Sequence, residues 1–189
     1  MDGNERLTAE SGAVLLLLLL AEGVTILFIR PLLSEHIFIG MLLIPPVALK
    51  LGSTGWRFSR YYLGAREYRE KGAPLLPLRL LAPVVVASTL AVIATGVALL
   101  IGGPPGGFLL GLHKVSFVVW GIATGIHVLA YLWRLPTLAT ADWRSGARAV
   151  AGSFARRLLL AGVLVAGAIL ALATVRYAHP WMHLHRGEG

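Results

Sequence analysis

The sequence contains no cysteine, which removes disulfides, iron–sulfur clusters and thiolate metal sites and leaves any metal chemistry to His, carboxylate or Lys. It is also poor in charge. Asp, Glu, Lys and Arg make up 14% of the chain, where ordinary globular proteins carry about a quarter, and so few charges cannot coat a soluble domain. Acids are the scarcest, nine against 17 Lys and Arg, for a net +8. A basic excess of that size can signal nucleic-acid binding, but here the cations cluster at the ends of long apolar runs instead of along one folded face, so nucleic acid is set aside. No phosphate loop, nucleophile–base arrangement or H-E-x-x-H motif is present.

What is abundant is apolar: 57% of residues, with a mean hydropathy of +0.76, which places the chain in a lipid bilayer. A hydrocarbon core about 30 Å thick needs roughly 20 apolar helical residues. Five stretches meet that length: Gly12 to Ile29, Leu32 to Leu51, Leu80 to Ile101, Phe108 to Leu132, and Leu158 to Val175. The first is expected to stay as a helix, because Arg6 stands among Asp2, Glu5 and Glu10 and no small-residue cleavage site precedes Arg30-Pro31. The fold class expected is an all-α integral membrane bundle of five transmembrane helices over residues 1–178, followed by a short His-containing tail, 179–189.

The connections set the orientation. Residues 52–79 hold Arg57, Arg60, Arg66, Arg69, Lys71 and Arg79, and residues 133–157 hold Arg134, Arg144, Arg148, Arg156 and Arg157. The positive-inside rule makes both loops cytoplasmic, with the N-terminus inside and the C-terminus outside. Trp56, Tyr61, Tyr62, Trp133 and Trp143 then fall near the cytoplasmic interface, and Tyr177 and Trp181 near the outer one, as an aromatic belt requires. A multi-pass position in a cell membrane is the location this topology suggests.

Three of the six His lie inside spans, and polar groups at membrane depth are expensive enough to need a reason. Spans two and four run in the same direction. His36 sits about one turn into the former and His113 about one turn into the latter, so the two imidazoles are expected at one depth near the outer face. His127 follows His113 by 14 residues, about 40° off the same helix face and roughly 21 Å deeper. The same step from His36 reaches Lys50. With no cysteine and no acid cluster, the centre that best suits an imidazole pair between membrane helices is a haem, whose apolar ring fits a bundle interior and whose iron takes two axial nitrogens. Gly40, Gly121 and Gly125 would let a macrocycle approach the backbone, although glycines are common at all membrane helix contacts. The plainer alternative for His36 and His113 is hydrogen bonding to loop carbonyls, and for His127 a packing bond to a Ser or Thr of a neighbouring span.

On His36, His113 and His127, residues 32–132 resemble the respiratory cytochrome b superfamily, in which two parallel membrane helices each supply a His pair at about this spacing and hold two stacked b haems. The segments Glu35-His36-Ile37-Phe38-Ile39-Gly40, Lys50-Leu51-Gly52-Ser53-Thr54-Gly55-Trp56-Arg57-Phe58 and Leu112-His113-Lys114 are also similar to small bacterial cytochrome b domain proteins. The resemblance implies one or two b haems and a redox partner protein. It departs from the two-haem pattern at Lys50, where that pattern has His.

Lys50 has three readings: snorkelling to the cytoplasmic interface, pairing with a haem propionate, or ligating iron as a buried neutral amine. Arg57 and Arg60, one turn apart, would clamp inner-haem propionates or meet lipid phosphates. Glu22, mid-span, would carry protons, touch a quinone or bond to a haem edge, or simply be a protonated Glu bonded to a neighbouring helix. Pro45-Pro46 is expected to distort span two. His179, His183 and His185 could bind copper or zinc from a tail expected to be loose. The function that follows is an electron-transfer subunit without an independent catalytic site, exchanging electrons with a membrane quinone or a separate redox protein. The rivals are a haem-free transporter bundle with a path through Glu22, Lys50 and His127, and a metal-binding membrane anchor.

Overall fold

The computed structural model describes residues 2–69, 76–105, 107–131 and 152–186, and these are all helical apart from short turns. The elements are α1 (Asp2–Leu27), α2 (Leu33–Tyr62), the short α3 (Arg66–Arg69), α4 (Leu76–Gly102), α5 (Gly107–Tyr131), α6 (Ser153–Thr174), a 3-10 turn (Val175–Ala178) and α7 (His179–Arg186). Five helices among the described residues are long and apolar enough to cross a membrane, the fifth running through the 3-10 turn to Met182. The chain is a multi-pass membrane protein by that measure. The second basic connection, including Arg134, Arg144, Arg148, Trp133 and Trp143, lies outside the described residues.

Helix α2 is the hub, packed against α1, α4 and α6, whereas α5 packs on α4 and makes almost no contact with α2. The hairpin turns explain the order. After Leu27 the chain bends through Arg30-Pro31, where proline lacks the N–H a helix interior needs, and backbone bonds from Leu32 to Phe28 (3.0 Å) and from His36 to Leu32 (2.9 Å) keep the bend tight. Between α4 and α5, Gly103 takes a left-handed φ of 68° and its N–H closes on the Leu99 carbonyl at 2.9 Å, the usual glycine stop for a helix. At the other end Arg79 Nη2 donates to the Tyr62 hydroxyl at 2.8 Å, so α4 begins where α2 ends. Helices α2 and α5 therefore run in the same direction. We call the end with Tyr62 and Arg79 inner and the end with His36 outer.

Pro45 and Pro46 do not break α2, which is continuous for 30 residues, about 45 Å and longer than the hydrocarbon core. What they remove is two donors, leaving the Met41 and Leu42 carbonyls without their partners four residues on. One of these carbonyls is used. A Cβ built on Gly167 of α6 would collide with the Leu42 carbonyl, so α6 lies against α2 at a distance only glycine allows and covers the oxygen that Pro46 cannot bond. Close approach through a small residue is how membrane helices gain packing without a hydrophobic driving force.

The interior is more polar than the surface. Leu17, Leu20, Val115, Ile122, Leu129 and Ile169 point outward, toward lipid, while Ser11, Glu22, Thr25, Ser88, Thr89, Thr95 and Ser116 are buried. Most hydroxyls bond to carbonyls one turn back, as Ser88 to Val84 (2.7 Å) and Thr89 to Val85 (2.6 Å), which satisfies them without water.

Candidate functional site

Because α5 leans on α4 and stands off α2, a cleft of about 370 Å³ opens between α1, α2, α4 and α5. His36 and His113 face each other across it, with ring centres 6.4 Å apart and ring planes at 71°. The equal depth expected of the pair is what the structure shows. Two metal–imidazole bonds of about 2 Å each, end to end, put ring centres roughly 6 Å apart, so the spacing suits one metal centre held from both sides.

Each ring is tied at Nδ1. His36 Nδ1 lies 2.8 Å from Glu22 Oε1 and 3.2 Å from Thr25 Oγ1. The Thr25 proton is directed to the Glu22 backbone carbonyl at 2.6 Å, leaving its oxygen to accept, so His36 carries its proton on Nδ1. His113 Nδ1 lies 3.0 Å from Thr95 Oγ1, whose own proton goes to the Ala91 carbonyl at 2.7 Å. His113 therefore also donates from Nδ1. Both rings keep a lone pair on Nε2, the arrangement by which an outer hydrogen bond fixes the tautomer of a metal ligand.

The walls fit a flat apolar group. Gly40 and Gly96 both line the cleft. A Cβ on Gly96 would come within 3.1 Å of His113 Cε1, so the ring rests on bare backbone. Deeper in, Phe117 and Trp120 face the space, and Trp120 Nε1 donates to Thr89 Oγ1 at 3.1 Å. Trp181 of α7 closes the outer end, its Nε1 donating to the Leu99 carbonyl at 3.3 Å. The tail expected to be loose is thus a helix folded back over the cleft, and Trp181 is part of its wall. The side chains of His183 and His185 lie outside the described residues. No group of three His, Cys, Asp or Glu able to hold a bare metal ion occurs among the described residues. Two imidazoles by themselves suit a metal that brings further ligands of its own, as a haem brings four nitrogens.

Comparison with family models, curated proteins and solved structures returns no match. Function has to be read from the side chains themselves.

The other residues marked in the sequence lie elsewhere. Lys50 Nζ donates to the Thr8 carbonyl of α1 at 2.5 Å and rests on Gly12, whose Cβ would be 3.0 Å away. It lies in the α1–α2 seam and is not among the residues of the cleft. His127 is half-buried on α5 and does not line the cleft. Arg60 stacks over the Trp56 ring at 5.9 Å, near the inner end of α2 and away from the cleft. A Cβ on Gly121 or Gly125 would meet nothing within 4 Å, and neither lines the cleft as Gly40 and Gly96 do. Glu22 meets His36, and the path from Glu22 to Lys50 is not assembled.

Thr25, Thr95 and Gly96 were not singled out by spacing. For Thr95 a signal exists in the hairpins. Thr95 and His113 lie nine residues either side of Pro104, Glu22 and His36 seven either side of Ile29, and Thr8 and Lys50 twenty-one either side of Ile29. In an antiparallel helix pair, residues equidistant from the turn share a depth. Reflection across the turn finds these three pairs, and it does not find Thr25 or Gly96.

Proposed function

We propose that this chain is a membrane electron-transfer protein that binds haem b between His36 and His113. The observation that carries this reading is the pairing itself: two imidazoles at one depth, on parallel helices that stand apart, each tied at Nδ1 and both lining one cleft with glycine in its wall. Held by both imidazoles, a haem would supply one-electron exchange, which favours electron transfer over oxygen chemistry.

The chain's own part is to hold and insulate. Glu22, Thr25 and Thr95 fix the two rings, so that little reorganisation is needed when the charge at the centre changes. Gly40 and Gly96 leave room beside the ligands, Phe117 and Trp120 fill the inner wall, and Trp181 covers the outer edge. We assign one haem, at the outer level, because Lys50 is engaged with Thr8. The partners on this reading are a membrane quinone and a separate redox protein, in a bacterial inner membrane with the N-terminus inside. The resemblance to cytochrome b proteins supports the same assignment.

The test is a dithionite-reduced minus oxidised spectrum and a pyridine haemochrome assay on protein purified from haem-replete cells. A sharp α band, b-type haemochrome and one haem per chain are expected. His36→Ala and His113→Ala should each lose the haem and His127→Ala keep it. A colourless wild-type preparation overturns the reading.

A further inference from the structure

The two histidines are alike in position and unlike in what stands behind them. Behind His113 is a neutral hydroxyl, Thr95 Oγ1 at 3.0 Å, already bonded to its own helix at Ala91. Behind His36 is a carboxylate, Glu22 Oε1 at 2.8 Å, on a residue 9% exposed and set well inside α1. A hydroxyl there would have oriented His36 equally well, and Thr25 Oγ1 is within 3.2 Å to do so. A buried carboxylate within a membrane is a costly way to point a ring. Orientation alone does not account for Glu22.

We propose that Glu22 makes the two axial ligands electronically unequal, giving His36 partial imidazolate character and holding the centre in the cleft at a lower reduction potential than a hydroxyl-backed pair would. A carboxylate accepting the Nδ1 proton raises the basicity of the ring and hence the donor strength of Nε2. Its negative charge, in surroundings with little water to screen it, also favours the more positive oxidised state of the centre. Both effects act in one direction. Glu22 is a positioning residue that works through His36, and this role rests on the haem assignment above.

The test compares Glu22→Gln, which keeps a hydrogen-bond acceptor of the same shape without the charge, with Thr95→Val, which removes the neutral partner of His113. In a spectroelectrochemical titration, Glu22→Gln should keep one haem per chain while its reduced-to-oxidised ratio at the wild-type midpoint rises at least tenfold, which is 59 mV for a one-electron couple. Thr95→Val should move that ratio less than threefold. Glu22→Gln with wild-type haem content and a ratio within twofold of wild type overturns the proposal and leaves the haem assignment standing, whereas wild-type protein without haem removes the assignment first. A second measurement covers the case in which Glu22→Gln fails to assemble. Pulsed EPR of the oxidised wild-type protein carrying ¹⁵N-histidine should resolve two unequal remote-nitrogen couplings, and two equal couplings overturn the proposal whatever the variant does.

Discussion

The outer and inner halves of the α1–α2 hairpin pair their residues by the same rule and reach opposite chemistry. In both, a nitrogen-bearing side chain of α2 meets the residue of α1 at its own depth: His36 meets Glu22, and Lys50 meets the Thr8 carbonyl. Glycines lie at both levels, Gly96 of α4 against His113 of α5 at the outer and Gly12 of α1 against Lys50 of α2 at the inner. The difference lies on the far side. At the outer level α5 stands away from α2 and presents a second ring across an open cleft, so one nitrogen of His36 is engaged and the other remains available. At the inner level the single nitrogen of Lys50 is spent on α1. An ionisable group in a membrane becomes a site when its helix neighbours leave a space beside it, and becomes packing when they do not.

The largest effect that bears on this contrast should come from the contact that sets the position of α2 for both levels. Gly167→Ala puts a methyl group into the Leu42 carbonyl, which is backbone and cannot yield. Overpacking of this kind costs about 1–3 kcal/mol, and separating α6 from α2 also leaves the oxygen freed by Pro46 uncovered. Folded protein recovered after detergent extraction and resistance to thermal unfolding should both fall, at both levels together. Gly162→Ala, where a Cβ meets nothing within 4 Å on the same helix, should match the wild type. Equal behaviour of the two variants would show that the Leu42 contact is not what holds α6.

A smaller and more local effect is expected at Gly96. A Cβ there approaches His113 Cε1 at 3.1 Å, nearly the same clearance that a Cβ on Gly12 has from Lys50 Nζ at 3.0 Å. The clearances match, and the tolerance should not. The His113 ring is held at Nδ1 by Thr95 and cannot move without losing that bond, whereas the tip of a lysine swings aside at small cost. Gly96→Ala should lower haem per chain several-fold with the helical fold retained, read by the pyridine haemochrome assay against far-UV circular dichroism. Full occupancy in this variant would mean that the ring does not depend on the bare backbone beneath it.

The spans were legible because hydropathy and length are additive along the chain: five helices, their order and the shared depth of His36 and His113 all follow from counting. The facing pair His36 and His113 was legible, and the residues that hold its rings were not. His36 and His113 stood out because imidazoles within apolar runs are rare, while Thr25 and Thr95 are among many hydroxyls that usually serve their own helix, and the hairpin register marks only Thr95. The 14-residue step linking His36 to Lys50 and His113 to His127 shows the limit of periodicity. It reports that residues share a face and says nothing of what packs against that face, so it does not tell that Lys50 bonds to Thr8 in the α1–α2 seam. Glycine spacing has the same limit, since Gly96 lies against His113 where Gly121 has no protein neighbour within 4 Å.

The smallest effects should therefore be at the inner level, and their smallness is informative. Lys50→Met keeps the length of the side chain and removes its bond to Thr8. Hydrogen bonds between membrane helices contribute about 0.6 kcal/mol on average, and the Thr8 carbonyl keeps a second donor in Ser11 at 3.2 Å, so the loss in stability should be under about 1 kcal/mol. Gly12→Ala, which only displaces the Lys50 tip, should cost less still. Neither should alter the α band, the haem content or the reduction potential, because the cleft that holds His36 and His113 does not include Lys50. Loss of a second haem in Lys50→Met, read as haem per chain falling from two toward one, would make the inner level a site like the outer and dissolve the contrast between them.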